Sequence, residues 1–227
     1  MEAIPCYRLP FLSLFHADCM QIMKQYPDKY FDLAIVDPPY GIKWSDRTDE
    51  SFVKRHNKTK AFNSNMKWDN KPDDLYFKEL KRVSKNQMVW GINYFSSYFE
   101  NFIPIYWNKM NGESQYSDGE LCGITFSNKS RIINHAYIGR YNPEPLKIHP
   151  TQKPTFVYEK LIGWYATEGM KILDTHFGSG SIALAVDKAN RLDKMNLHLT
   201  ACEIDKEYID KAIKRIEQYC RQGTLSF

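Results

Sequence analysis

Phe31-Asp32-Leu33-Ala34-Ile35-Val36-Asp37-Pro38-Pro39-Tyr40 is the stretch from which the rest of the chain is read. Its first six residues are almost continuously apolar, as expected of a strand covered on both faces in a parallel sheet. Two adjacent prolines then lock two φ angles and remove two backbone donors, so the strand stops and the turn is stiff. A carboxylate, Asp37, and a ring, Tyr40, are thereby held at the carboxyl end of a buried strand. Open α/β sheets bind their ligands at that end.

Working outward, periodicity predicts further strands over 12–16, 87–91, 171–174 and 198–203. It predicts helices over 17–26, 73–83, 154–166, 181–189 and 206–222. Segments 103–107 and 121–126 read as an antiparallel pair at one edge. The fold class is α/β: a mostly parallel, Rossmann-like sheet of seven strands with helices on both faces. The 227 residues suit one domain, 1–227.

Composition narrows the function classes. Segment 41–67 carries seven basic residues against three acidic, and 128–153 carries five against one. Both adjoin candidate site motifs, as a phosphate-tracking surface requires. Segments 41–71 and 108–147 are the candidate loops for contacting a nucleic acid. Five cysteines, an odd number without a Cys-x-x-Cys pair, suggest reduced thiols in a cytoplasm and neither a disulfide framework nor a zinc site. The histidines lack ligand spacing, so no metal is expected. No apolar run reaches the roughly 18 residues of a membrane span.

A second motif lies in Asp174-Thr175-His176-Phe177-Gly178-Ser179-Gly180-Ser181, between a buried strand and a helix. Glycines there let the chain turn tightly and let a ligand approach closely. Glu203 ends the following strand, where a carboxylate can accept hydrogen bonds from ribose hydroxyls. The third glycine of the pyrophosphate fingerprint is absent. A nucleoside ligand without phosphates therefore fits better than NAD. The third motif, His149-Pro150-Thr151-Gln152-Lys153-Pro154, places extended polar residues ahead of a helix.

In this order the three motifs resemble the amino-group DNA methyltransferases of the β arrangement, over nearly the whole chain. Small enzymes of phages and mobile elements are the nearest likeness. Trp90-Gly91 and Trp107-Asn108-Lys109 also resemble family features. Thr175 and His176 stand where the family reads Pro and Phe, and His176 offers a ring in the place of that Phe. The resemblance implies the methyltransferase form of the Rossmann-like fold, S-adenosylmethionine as cofactor and double-stranded DNA as partner. It also implies a restriction–modification setting, no membrane, and room for a homodimer. On the same basis the cofactor site comprises Asp18, Cys19, Asp37, His149, Thr151, Gln152, Lys153, Asp174, His176, Phe177, Gly178, Ser179, Gly180 and Glu203.

The chemistry then assigns Asp37, Pro38, Pro39 and Tyr40 as catalytic. An exocyclic base amine is a poor nucleophile because its lone pair is delocalised into the ring. Two acceptors, the Asp37 carboxylate and the Pro38 carbonyl, localise that lone pair. The target base must be flipped out of the duplex, and Tyr40 is placed to stack on it. C5-cytosine methylation needs a cysteine nucleophile, and the only Pro-Cys is Pro5-Cys6, far from the motif. Asp at the first motif position resembles the N6-adenine enzymes, whereas Ser is commoner in the N4-cytosine ones. The alternatives are N4-cytosine methylation and a catalytically idle nucleic-acid-binding protein on the same fold.

Overall fold

Leu33 and Ile35 pack to one side of the sheet, Ala34 and Val36 to the other, and all four are buried. The apolar run is therefore a central strand with helices above and below it. The structure is a computed structural model and describes residues 3–42, 70–112, 117–136, 148–149 and 151–224. Most of the first expected DNA-contacting loop (43–69) lies outside these residues, as do 113–116 and 137–147 of the second.

In chain order the elements are β1 Tyr7–Leu9, β2 Leu12–His16, α1 Cys19–Met23, β3 Phe31–Val36, α2 Asp74–Val83, β4 Ser84–Trp90 and α3 Ile92–Phe95. A 3-10 turn, Ser96–Tyr98, precedes β5 Ile103–Asn108, β6 Gly119–Ile124 and β7 Arg131–Asn134. The chain continues with α4 Thr155–Tyr165, β8 Lys171–Asp174, α5 Ser181–Asp193, β9 His198–Glu203 and α6 Lys206–Thr224. Asp18, Asp73 and Asp205 each accept backbone N–H bonds at the start of α1, α2 and α6, satisfying donors that a helix leaves orphaned.

The described strands form one nine-stranded sheet in the order β1-β2-β9-β8-β3-β4-β6-β5-β7. Strands β2, β9, β8, β3 and β4 are mutually parallel. The predicted α/β class stands, with nine strands in place of seven. The additions, β1 and β7, have three and four residues and lack the buried apolar run that marks the similarly short β8. The antiparallel pair also sits differently. β6 lies between β4 and β5, and β7 runs parallel to β5 on its outer side. Gly123 helps β6 fit there, because a Cβ at that position would come 2.4 Å from Ile92 Cγ1 on α3.

Helix limits also differ locally. α1 is shorter than the expected 17–26, and Pro154 is the residue before α4 rather than its first turn, with ψ 142°. α5 runs on to Asp193 and stops where Lys194 takes φ +56°. No helix among the described residues is long and apolar enough to cross a membrane.

Candidate active site

Strand direction assembles the site. β3, β4 and β8 end at the same edge of the sheet, delivering Asp37, Gly91 and Asp174. β6 runs the opposite way, so its first residues, Gly119 and Glu120, arrive at that edge too. There Glu120 pairs in register with Trp107 of β5, and Lys109 follows directly after that strand.

Asp37 sits in a small charge cluster. Its Oδ1 accepts the Tyr40 hydroxyl at 2.8 Å, and its Oδ2 accepts Lys153 Nζ at 2.5 Å. Lys153 also pairs with Glu120 Oε2 at 3.0 Å, and Lys109 pairs with Glu120 Oε1 at 2.5 Å. The Lys153 side chain is only 2% exposed, against 16% for Asp37 and 23% for Glu120. Its ammonium lies 4.9 Å from the Trp90 ring centroid, a cation–π contact. Positive and negative charges thus alternate along Lys109, Glu120, Lys153 and Asp37.

Each group responds to that order. Burial raises the Asp37 carboxyl above its ordinary value; the neighbouring Glu120 charge adds to this, and Lys153 opposes it. Burial would also raise Glu120, but Lys153 and Lys109 outweigh it and bring the carboxyl down to about 2. Lys153 would be lowered by burial, yet its two carboxylate partners hold it above the usual lysine value. Burial and the adjacent Asp37 keep the Tyr40 phenol un-ionised.

Gly91 makes room for the ring. It adopts φ +67°, and a Cβ there would fall 2.3 Å from Tyr40 Cε1. Tyr40 stacks on Tyr94 with centroids 5.0 Å apart and planes 20° from parallel. Gly91→Ala is expected to cost about 1–2 kcal/mol for the left-handed backbone alone, with more from the overlap. A urea midpoint equal to wild type would contradict this packing.

The glycine turn forms the other half of the site. Gly178 and Gly180 have φ +51° and +72°, values that favour glycine. Gly178 N donates to Glu203 Oε2 at 2.9 Å, while Ile204 and Asp205 N–H groups hold Oε1. Burial nevertheless raises the Glu203 carboxyl. Asp174 is 3% exposed, and its side chain accepts one hydrogen bond among the described residues, from His176 N. Burial pushes its carboxyl up to about 8.

The structure separates the remaining predicted residues. His149 faces Gly178, its ring 3.7 Å from where a Cβ would lie, and packs edge-on against Tyr208. Thr151 is exposed and bonds His149 Nδ1, whereas Gln152 is buried and bonds back to Ile148 N. Lys153 sends its side chain to Asp37, while its carbonyl accepts Ser181 Oγ at 2.7 Å. The third motif therefore ties the glycine turn to the Asp37 cluster.

His176 is held neutral by burial, its pKa down at about 4, and it bonds Thr175 Oγ1 at 2.9 Å. Thr175 in turn meets the Tyr76 hydroxyl at 2.6 Å, so the two departures from the family pattern are locked to α2. Phe177 is buried beneath Gly180, and Ser179 Oγ meets Ser181 Oγ at 3.1 Å. Asp18 caps α1 through Met20 N. Cys19, next to it, is an inert thiol that burial pushes up to about 12. Pro38 is buried and Pro39 partly so.

Three participants escaped the sequence reading. Glu120 carries no motif, and only strand pairing brings it in. Arg215 of α6 donates to Ser179 O and Ser181 Oγ, both at 2.9 Å, bracing the turn from a helix that looks merely amphipathic. Lys109 belongs to the Trp-Asn-Lys segment, whose resemblance to family features was the one available signal.

The sequence model of the DNA methylase family of N6 and N4 enzymes matches residues 49–214. The Type II methyltransferase M.HinfI of Haemophilus influenzae is 23% identical, over 91% of this chain and 68% of its own length. Among solved structures, the M1.HpyAVI–SAM complex superposes with a TM-score of 0.56 at 18% identity, covering 90% of this chain and 98% of that one. The cytosine-N4-specific PvuII DNA methyltransferase gives 0.58 at 14% identity, covering 94% and 89%.

Proposed function

Since the chain belongs to the DNA methylase family of N6-adenine and N4-cytosine enzymes, we propose that it methylates the N6 amine of a flipped-out adenine in double-stranded DNA. The observation that carries this reading is the Asp37-Pro38-Pro39-Tyr40 turn, whose carboxylate and phenol are hydrogen-bonded to each other beside a buried cation. Asp rather than Ser at its first position favours adenine over cytosine. The likeness to a cytosine-N4 enzyme is one of fold, and it does not favour cytosine.

The cofactor is S-adenosylmethionine, which when bound supplies a methyl group made electrophilic by its sulfonium. The chain has a matching site. Asp174 is a buried carboxylate lacking a cationic partner among the described residues, suited to the α-ammonium of the methionine portion. Glu203, fixed by three backbone donors, has lone pairs left for ribose hydroxyls. The backbone of Gly178 and Gly180 permits close approach, and His149 walls the opposite side.

At the reacting end, the Asp37 carboxylate and the Pro38 carbonyl accept the two amine N–H groups. That geometry would localise the nitrogen lone pair. A nitrogen that gains a methyl group must lose a proton. Asp37, with its raised affinity for protons, is placed to take it. Positioning and preorganised charge supply the acceleration. Tyr40 holds the base by stacking, worth roughly 1–3 kcal/mol per base. The basic segments 41–67 and 128–153, which overlap the candidate contacting loops 41–71 and 108–147, supply charge for the flanking phosphates.

The test is incorporation of labelled methyl from S-adenosylmethionine into duplex DNA, followed by nucleoside analysis. Label in N6-methyladenine is the expected result. Label in N4-methylcytosine would redirect the base assignment, and DNA binding without incorporation would sink the catalytic reading.

A further inference from the structure

Both oxygens of Asp37 are occupied, by Tyr40 and by Lys153. An amine that is to be gripped by Asp37 has to compete with the Lys153 ammonium. Lys153 is too deeply buried to be left without a counter-charge. A second carboxylate stands ready at 3.0 Å, and that carboxylate is pinned on its other oxygen by Lys109 at 2.5 Å.

Building on the reading of this site as a methyl-transfer centre, we propose that Glu120 is a positioning residue. It takes over the Lys153 ammonium when the substrate amine binds, freeing Asp37 Oδ2, while Lys109 fixes Glu120 in place. The four groups sum to zero charge, so the hand-over moves an ammonium between two carboxylates without creating a net buried charge. Its path stays beside the Trp90 ring and the Tyr40 hydroxyl, which lies 3.4 Å from both Lys153 Nζ and Glu120 Oε2.

The role has a signature in the pH profile. The groups facing Asp37 are Lys153 of the loop before α4, Glu120 and Cys122 of β6, Tyr40, Tyr158 of α4 and Asp174 of β8. Burial keeps both tyrosines and Cys122 un-ionised, and Asp174 is protonated below about 8 or, with the cofactor bound, neutralised by the cofactor's ammonium. On the acid side, then, Lys153 and Glu120 are the charges nearest Asp37. Removing the Glu120 charge leaves Lys153 wholly on Asp37, lowers the Asp37 pKa and slows access of the amine. Removing the Lys109 charge leaves Glu120 less neutralised and shifts Asp37 the other way.

Single-turnover methyl incorporation is measured against pH for wild type, E120Q, E120D and K109M, with cofactor binding measured in parallel. E120Q is expected to be slower by about 10²-fold, as for a small misplacement of reacting groups. Its acid limb moves to lower pH, its cofactor affinity holds, and E120D recovers part of the rate. K109M moves the acid limb to higher pH, and it carries the test alone if E120Q does not fold. Superimposable profiles, or a slower rate with an unmoved acid limb, would overturn the role of Glu120. An inactive wild type would overturn both this role and the reading beneath it, so the two failures are told apart.

Discussion

Replacing Asp37 with alanine is expected to lower methyl transfer by about 10³-fold and to leave S-adenosylmethionine bound. The expected loss is large because, in the proposed reaction, one side chain has two duties, accepting an amine N–H and taking the departing proton. No neighbour can stand in. Glu120 is a carboxylate, but its oxygens are held by Lys109 and Lys153. The fold survives, because Lys153 keeps Glu120 as its partner and no buried cation is stranded. Cofactor binding survives because Asp174, Glu203 and the glycine turn lie on β8, β9 and the loop between β8 and α5. Equilibrium binding of S-adenosylmethionine alongside methyl incorporation separates the two properties. Near-wild-type turnover would remove Asp37 from the chemistry.

Lys153→Ala has its largest effect on stability. It leaves Asp37 and Glu120 facing each other with only Lys109 to compensate. Breaking a buried pair from one side costs about 3–5 kcal/mol. The lower end is expected here, because Glu120 retains Lys109 and both carboxylates keep some exposure. The pH dependence has a definite sign. Without Lys153, the folded-state pKa of Asp37 rises further above its unfolded value of about 3.9. The folded form then binds the extra proton, and stability is lost as pH rises through that interval. The gap to wild type should therefore widen from pH 5 to pH 8 in denaturant titrations. In the wild type Glu120 contributes oppositely: its stabilisation is present above its ordinary pKa of 4.5 and is lost as pH falls toward about 2. A gap independent of pH would show that Lys153 acts by packing rather than by charge.

Much of this was legible along the chain because it was local. An apolar run stopped by two prolines is a strand end whatever surrounds it, and the Asp37 turn forms as read. Glycines flanking a short polar turn before a helix announce a close approach, and both take the positive φ that only glycine accepts cheaply. Local signals failed at β1 and β7, short strands at the two edges of the sheet that lack a buried apolar run. The third motif is less local. Its residues were all assigned to one pocket, and the fold gives them different contacts. His149 faces the glycine turn, Gln152 folds inward, and Lys153 crosses to Asp37.

By itself the sequence determined the class of sheet, the edge that carries the candidate site, and the carboxylate and ring that face it. These follow from covalent geometry and periodicity, which act over a few residues. Which charges surround that carboxylate was decided by the tertiary structure alone. Glu120 lies 83 positions beyond Asp37 and Lys153 a further 33, and neither separation carries a signal. They meet because β6 runs against its neighbours, bringing its first residues to the edge where the parallel strands end. Coulomb attraction between buried groups depends on distance through space, and only the folded chain sets that distance.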